Sequence, residues 1–313
     1  MTRQLIVLTD PGQDQAAAIL MMLGAPQVFD VLGLVATAGN IDVAHTVTNC
    51  LKLLELAGRP DIPVFAGCPR PMARQLVTAV HVHGPTGLDG PVLPQPKISA
   101  SPVHGVDFIV DTLRSCETGT VTICSLSPLT NLAMALVKAP DIAPRIREIV
   151  AMAGAYFEVG NITPSAEFNV YVDPEAARVV LDSSIPTTLL PLDVTHRMLS
   201  TRARLDAIRA LENRCGIATA EMLEFSERFD LGKYGWEGAP LHGPCVPAFM
   251  LDPTIFSGRQ INVSVELDGS LTQGMTVADW WAITERPKNA FWVRDGDPVR
   301  YYSLLLECLG RLP

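Results

Sequence analysis

The sequence predicts an α/β fold: a mostly parallel central sheet flanked by helices, a Rossmann-like open sheet, with an added antiparallel C-terminal portion. Three observations predict it. Short apolar runs alternate with longer runs of helical spacing, the pattern of β-α units around a parallel sheet. The apolar runs stop at Gly, Pro, Asp or Asn, the residues of tight turns. Beyond about residue 258 strand-like runs follow one another with Gly- and Pro-bearing turns between them.

Leu5 to Leu8 is a short apolar run of the buried-strand kind, ending at Asp10-Pro11-Gly12. Asp14 to Leu23 reads as a helix, rich in Ala and Leu and closed by Gly24 and Pro26. Val31 to Ala38 is a second strand, ending in Gly39-Asn40. Val43, Val47, Cys50, Leu51 and Leu54 follow at helical spacing, with Gly58 as the stop. Val106, Ile109, Val110 and Leu113 repeat that spacing before a strand over Thr120 to Leu126. Ile146 to Met152 is a fourth strand, running into Ala153-Gly154; Thr187 to Leu192 is a fifth, running into Asp193 after the helix Pro174 to Leu181. Asn262 to Leu267, Met275 to Ala282 and Ala290 to Val293 read as an antiparallel edge, and Tyr301 to Leu312 as a closing helix. No linker, repeat or low-complexity tract divides the chain, so residues 1–313 are expected to form one domain.

Composition narrows the function. Apolar residues make up 48% of the chain and charged ones 18%, proportions of a folded globular protein. The 33 acidic residues outnumber the 24 basic ones, giving a net charge of −9 and arguing against a nucleic-acid backbone as partner. The N-terminus carries one Arg and four consecutive apolar residues, too few for a signal peptide. The longest apolar stretch, Ala16 to Ala25, falls short of the ~18 residues of a membrane span. Seven cysteines, odd in number and without a C-x-x-C pair, fit reduced thiols in the cytoplasm rather than a disulfide framework or zinc site.

In open α/β sheets ligands bind beyond the carboxyl ends of the strands. The residues just past the strand runs are Asp10 and Asp14, Asn40, His83, Ser125 and Ser127, Asn161 with Glu167 and Asn169, and His242. Asp14 taken alone reads equally well as a helix cap. Paired with Asp10 across Pro11-Gly12, it sits where backbone can approach a ligand closely. Polar side chains satisfying a loop's own backbone account for Asp173-Pro174 as a helix start, but poorly for two amides and an acid at 161, 167 and 169. Such a set can bracket a vicinal diol, because each hydroxyl both donates and accepts, and so points toward a sugar. His242 before Gly243-Pro244 reads as a loop residue or as a group able to protonate a leaving group near neutral pH. His81 and His83, two apart on a strand, would share a face, but no third ligand at zinc spacing follows.

Together these segments resemble the inosine–uridine-preferring nucleoside hydrolase family, from Leu5 to about Phe256. The resemblance rests on Asp10-Pro11-Gly12-x-Asp14, Gly39-Asn40, His83-Gly84 with Gly87-Leu88, Pro128-Leu129-Thr130-Asn131-Leu132-Ala133 and Met152-Ala153-Gly154. Its most specific string is Gly160-Asn161-Ile162-Thr163-Pro164-x-Ala166-Glu167-Phe168-Asn169, continuing to Pro174-Glu175-Ala176. It implies hydrolysis of a ribonucleoside N-glycosidic bond to ribose and free base, with calcium in an acidic pocket holding two ribose hydroxyls and a water. Asp10 falls on the family's metal-bound general base. Asp14, Asn40, His83, Asn161, Glu167 and Asn169 are assigned to substrate binding, and His242 falls on a His that protonates the departing base in some members. The family also implies a homodimer or homotetramer.

Three positions depart from the family pattern. Gln15 stands where a second calcium-binding acid is usual, Gly243 where the His-Asp-Pro-Cys motif has its acid, and Leu126 where Thr is usual, at a position that supplies a backbone carbonyl. The metal set expected here is therefore Asp10, Gln15 and the Leu126 carbonyl. Calcium takes about six to eight oxygens and its affinity depends on ligand charge, so binding is expected to be weak or absent. Two readings follow: a hydrolase of a nucleoside or related N-riboside in which Asp10 activates water, and a catalytically impaired relative that binds such a ligand without cleaving it. Asp10, Asp14, Asn161, Glu167, Asn169 and His242 favour the first; Gln15 and Gly243 favour the second.

Overall fold

The computed structural model describes residues 2–313. The chain begins with strand β1 (Arg3–Thr9), helix α1 (Gln13–Leu23), β2 (Phe29–Ala36), α2 (Val43–Leu56), β3 (Val64–Ala66), a helical turn α3 (Val80–His83) and α4 (Gly105–Ser115). It continues through β4 (Val121–Ser125), α5 (Thr130–Lys138), β5 (Ile146–Ala151), α6 (Phe168–Val172), α7 (Pro174–Leu181), β6 (Thr187–Leu189) and α8 (Leu192–Thr195). Next come β7 (Leu199–Thr201), α9 (Arg202–Arg209), α10 (Arg214–Tyr234), β8 (Gly238–Pro240) and α11 (Cys245–Leu251). The last elements are β9 (Phe256–Ile261), β10 (Val263–Val265), β11 (Thr276–Ala278), β12 (Ala290–Gly296) and α12 (Pro298–Leu309).

Eight strands form the main sheet in the order β3-β2-β1-β4-β5-β6-β12-β9, all parallel except for β9 at one edge. The first three strands run one way from the centre and the next three run the other. The reversal between β1 and β4 opens a crevice at their carboxyl ends. The sequence of β1 shows why it sits in the middle: Leu5 and Val7 join the core on one face, and Ile6 and Leu8 the core on the other. A strand covered on both sides needs an unbroken apolar run rather than alternation. Helix α1 is buried everywhere except Asp14, which explains its apolar sequence all round.

The C-terminal elements differ from the expectation in detail. Asn262 to Leu267 and Met275 to Ala282 do not border the main sheet; parts of them pair with each other as the separate antiparallel ribbon β10-β11. The run from Ala290 lies inside the sheet, parallel to β6, because Ala290, Trp292 and Val293 are wholly buried. The antiparallel edge is β9, whose burial follows no period of two. The expected strand Thr187 to Leu192 stops at Leu189, and Leu192 opens α8. His81 and His83 lie on the helical turn α3 and not on a strand, so they do not share a face. Residues 225–234 are the last turns of α10, which ends at Gly235 in the left-handed conformation (φ +66°).

Candidate active site

Asp10 follows β1 directly and is fully buried. Its Oδ2 accepts the Asn40 backbone N–H at 2.8 Å, and the Asn40 side-chain amide donates to the Asp10 carbonyl at 3.1 Å. Gly39 makes this approach possible, because a Cβ there would come 2.1 Å from Asp10 Oδ2. The other carboxylate oxygen, Oδ1, is buried without a hydrogen-bond partner among the described residues. Burial drives the Asp10 carboxyl well above its usual range; the Asn40 N–H opposes this, and Asp14 and Glu167 add to it.

The first turn of α1 supplies the next groups. Asp14 Oδ2 accepts the Gly243 N–H at 2.9 Å, and burial lifts its carboxyl to about 6. Gln15 turns its Oε1 back onto the Gly12 N–H at 3.1 Å, which caps the helix start. The Gln13 Oε1 accepts from His83 Nδ1 at 2.7 Å, while Gln13 Nε2 donates to the His83 carbonyl at 2.9 Å. Burial, then His81, pushes His83 down to about 4, so its ring is neutral.

Beyond β5 the long loop folds back so that Glu167 caps α6. Its carboxylate accepts N–H groups from Asn169 (2.8 Å), Gly154 (3.0 Å) and Val170 (3.2 Å). Burial outweighs those three donors and raises Glu167 to about 7. Asn161 Oδ1 accepts the Phe168 N–H at 2.9 Å, and Asn169 Nδ2 donates to the Met152 carbonyl at 3.0 Å. His242 Nδ1 lies 2.8 Å from the Thr195 hydroxyl. Burial first, then His196 and His83, lowers His242 to about 3.

One cavity, about 890 Å³ with its open mouth included, brings these segments together. Asp14, Gln15, Asn40 and His83 line one part of it, and Asn161, Glu167, Asn169 and His242 also face it. Asp10 lies beneath the wall, reached through Asn40. Leu126 is fully buried just past β4, its N–H donating to the Leu8 carbonyl at 2.8 Å. Ser125, the last residue of β4, and Ser127, just past it, are buried; Ser125 Oγ donates to the Ser127 carbonyl at 3.1 Å and neither lines the cavity.

The sequence reasoning missed His196 on the wall, and left Tyr234, Trp236 and residues 225–240 open between stacking on the base and packing or interface. His196 follows α8 and stands 5.7 Å from His242, ring centre to ring centre. Its signal was present, since the strand run over Thr187 to Leu192 ends four residues earlier. Ser226, Phe229 and Asp230 come from the face of α10, far from any strand end, and Tyr234 stacks on Trp236 at 4.6 Å beside them.

The model of the family described as inosine-uridine preferring nucleoside hydrolase matches residues 5–303. This chain belongs to that family. A protein of Schizosaccharomyces pombe described as uncharacterised is 48% identical over 310 residues, covering 99% of this chain and 100% of that one. The pyrimidine-specific ribonucleoside hydrolase RihA of Photobacterium profundum is 41% identical over 311 residues, covering 99% of each chain. Among solved structures, the plant nucleoside hydrolase PpNRh1 superposes with a TM-score of 0.93 at 29% identity, covering 99% of each chain. The chain is a nucleoside N-ribosyl hydrolase of α/β fold, and of the two readings drawn from the sequence these likenesses support the hydrolase.

Proposed function

We propose that the cavity cleaves the C1′–N bond of a ribonucleoside, with Asp10 as the base that activates water and with little or no help from calcium. The observation that carries this is the buried Asp10 Oδ1, which has no hydrogen-bond partner among the described residues while Oδ2 accepts the Asn40 N–H. A carboxylate with a raised proton affinity is a better general base than an exposed one. Asp14, Asn40, His83, Asn161, Glu167 and Asn169 hold the ribose, the amides and acids pairing with hydroxyls that donate and accept. Water adds its oxygen to C1′ and gives a proton to Asp10. The C1′–N pair leaves with the base, and the positive charge that develops on the sugar faces Asp14 and Glu167.

His242 assists departure as a neutral ring. With Nδ1 accepting from the Thr195 hydroxyl, the ring N–H sits on Nε2 and offers the base a hydrogen bond. An imidazolium is disfavoured there, given a value of about 3.

The donors for calcium support weak or absent binding. Gln15 Oε1 already accepts the Gly12 N–H, and Gly243 has no side chain, its N–H donating to Asp14 Oδ2. The pyrimidine specificity in the name of the Photobacterium relative makes uridine and cytidine the first substrates to try. A cytoplasmic location agrees with seven free cysteines, and among the described residues no helix is long and apolar enough to cross a membrane. A homodimer or homotetramer completes the proposal. The deciding experiment follows ribose release from a nucleoside panel, with chelator and with added Ca²⁺. Release without added metal, lost in Asp10→Asn, is the expected result; release only with Ca²⁺ refutes the metal part, and none at all refutes the reading.

A further inference from the structure

The far wall of the cavity carries an acid that the mechanism above does not use. Ser226, Phe229, Asp230 and Tyr234 are spaced three, one and four residues apart on α10, which places them on one helix face, turned to the cavity. Asp230 is half-buried there, and among the described residues its carboxylate has no hydrogen-bond or ion-pair partner. Lys233, three residues on, does not neutralise it: its ammonium lies over the rings of Phe229 (5.0 Å) and Tyr234 (4.9 Å). The other acids on the wall are engaged, Glu167 by three N–H groups and Asp14 by Gly243.

The surroundings of Asp230 describe the partner it lacks. Phe229 meets His81 edge-on at 5.3 Å, and the stacked Tyr234–Trp236 pair forms a flat apolar face beside it, suited to a planar ring. Among the described residues no Lys or Arg lines the cavity, so no side-chain cation on its wall takes up the Asp230 carboxylate. Burial and the charge of Asp14 lift the Asp230 carboxyl to about 6, and Lys233 only partly offsets this. An acid left uncompensated in a wall of rings awaits a donor brought by the ligand.

We propose that Asp230 is a specificity-determining residue that accepts a hydrogen bond from an amino group on the base, so that cytidine is preferred to uridine and adenosine to inosine. The inference rests on the nucleoside reading of the cavity. Uracil and hypoxanthine present a carbonyl oxygen where cytosine and adenine present the amine, and two facing acceptors leave both unsatisfied. For a half-buried acceptor the discrimination within each pair is expected to be roughly 10- to 100-fold in kcat/KM.

The test compares kcat/KM for cytidine, uridine, adenosine and inosine in the wild type and in Asp230→Asn, whose amide can donate to a carbonyl. The expected result is a preference for the aminated member of each pair in the wild type, which collapses or inverts in the variant. Thermal melting of the variant checks that it is folded. If purine nucleosides are not turned over, the pyrimidine pair decides alone. Calorimetric binding of the same nucleosides reads the same ratio if no wild-type hydrolysis occurs, a result that sinks the hydrolase mechanism but leaves this inference exposed to test. A wild-type ratio at or below one, or a ratio unchanged by Asp230→Asn, overturns it.

Discussion

Calcium should change the stability of this protein hardly at all, and Gln15→Asp with Gly243→Asp should make it matter. A ligand that binds only the folded state stabilises it by RT ln(1 + [L]/Kd). At ~1 mM Ca²⁺, a site of about 1 μM affinity contributes ~4 kcal/mol, and a site of about 1 mM affinity only ~0.4 kcal/mol. A chain of 313 residues unfolds with an entropy near 0.66 kcal/mol/K, so those gains amount to about 6 °C and under about 1 °C in melting temperature. On the reading proposed above the wild type falls in the second class, since Gln15 Oε1 accepts the Gly12 N–H and Gly243 has no side-chain oxygen. Restoring Asp at 243 has its own cost. A Cβ there would sit 2.9 Å from the Asp14 carbonyl oxygen and would set a further carboxylate beside Asp14. The double variant should therefore melt below the wild type in chelator and recover with Ca²⁺, with Mg²⁺ at equal ionic strength as the control. A rise of about 6 °C in the wild type on adding ~1 mM Ca²⁺ would refute the reasoning.

Asp10→Asn should lower kcat by about 10²- to 10⁴-fold, the usual worth of a positioned general base, and steady-state ribose release measures it; a loss under about threefold removes Asp10 from that role. Because Asp10 is held well above the ordinary carboxylate range, the acid limb of the wild-type kcat/KM profile should lie above pH ~4, and a flat profile down to there would contradict it. His242 should give a stability signature. Its folded value of about 3 is depressed below the ordinary 6.5, so its contribution is present above pH 6.5 and lost as pH falls toward 3. Between about pH 7 and 5 the loss is ~2 kcal/mol. Asp14 and Glu167, raised to about 6 and 7, gain protons in that window and push the other way, so the test is the difference in pH slope between wild type and His242→Asn in urea unfolding. Equal slopes would show that the ring is not held neutral.

The parts of the fold that were legible in the sequence share one physical property. Strands β1, β2, β4 and β5 lie largely covered on both faces, and such burial requires apolar runs that stand out in a single chain. β3 has three residues, too few for any pattern, and β9 runs Phe-Ser-Gly-Arg-Gln-Ile along a half-exposed edge. The site divides similarly. Asp10, Asn40, Asn161 and Glu167 follow strands, where the topology of an open sheet gathers ligand-binding groups whatever the rest of the fold does. Asp230 and Phe229 reach the cavity only because α10 packs beside α1 and α3, a tertiary fact that no local spacing encodes. The turn of Gln15 onto Gly12 was equally hidden, since its sequence position shows an available oxygen and the structure shows it engaged.

The net charge of −9 says little about this chemistry, but the placement of a few of those charges says a good deal. Asp10, Asp14 and Glu167 are all held above their ordinary values, and burial is the largest cause for each. In a site with a tightly held dication, much of that tension would be relieved before the substrate arrived. Without one, on the reading proposed above, the first positive charge to meet these acids is the one that grows on the ribose as the base departs. An interaction absent from the ground state and strong in the transition state raises kcat and does not merely tighten binding. Gln15 and Gly243 then mark a shift in where the stabilisation is applied, from a resident cation to the reacting sugar. In that case Gln15→Asp with Gly243→Asp should gain calcium dependence without gaining speed.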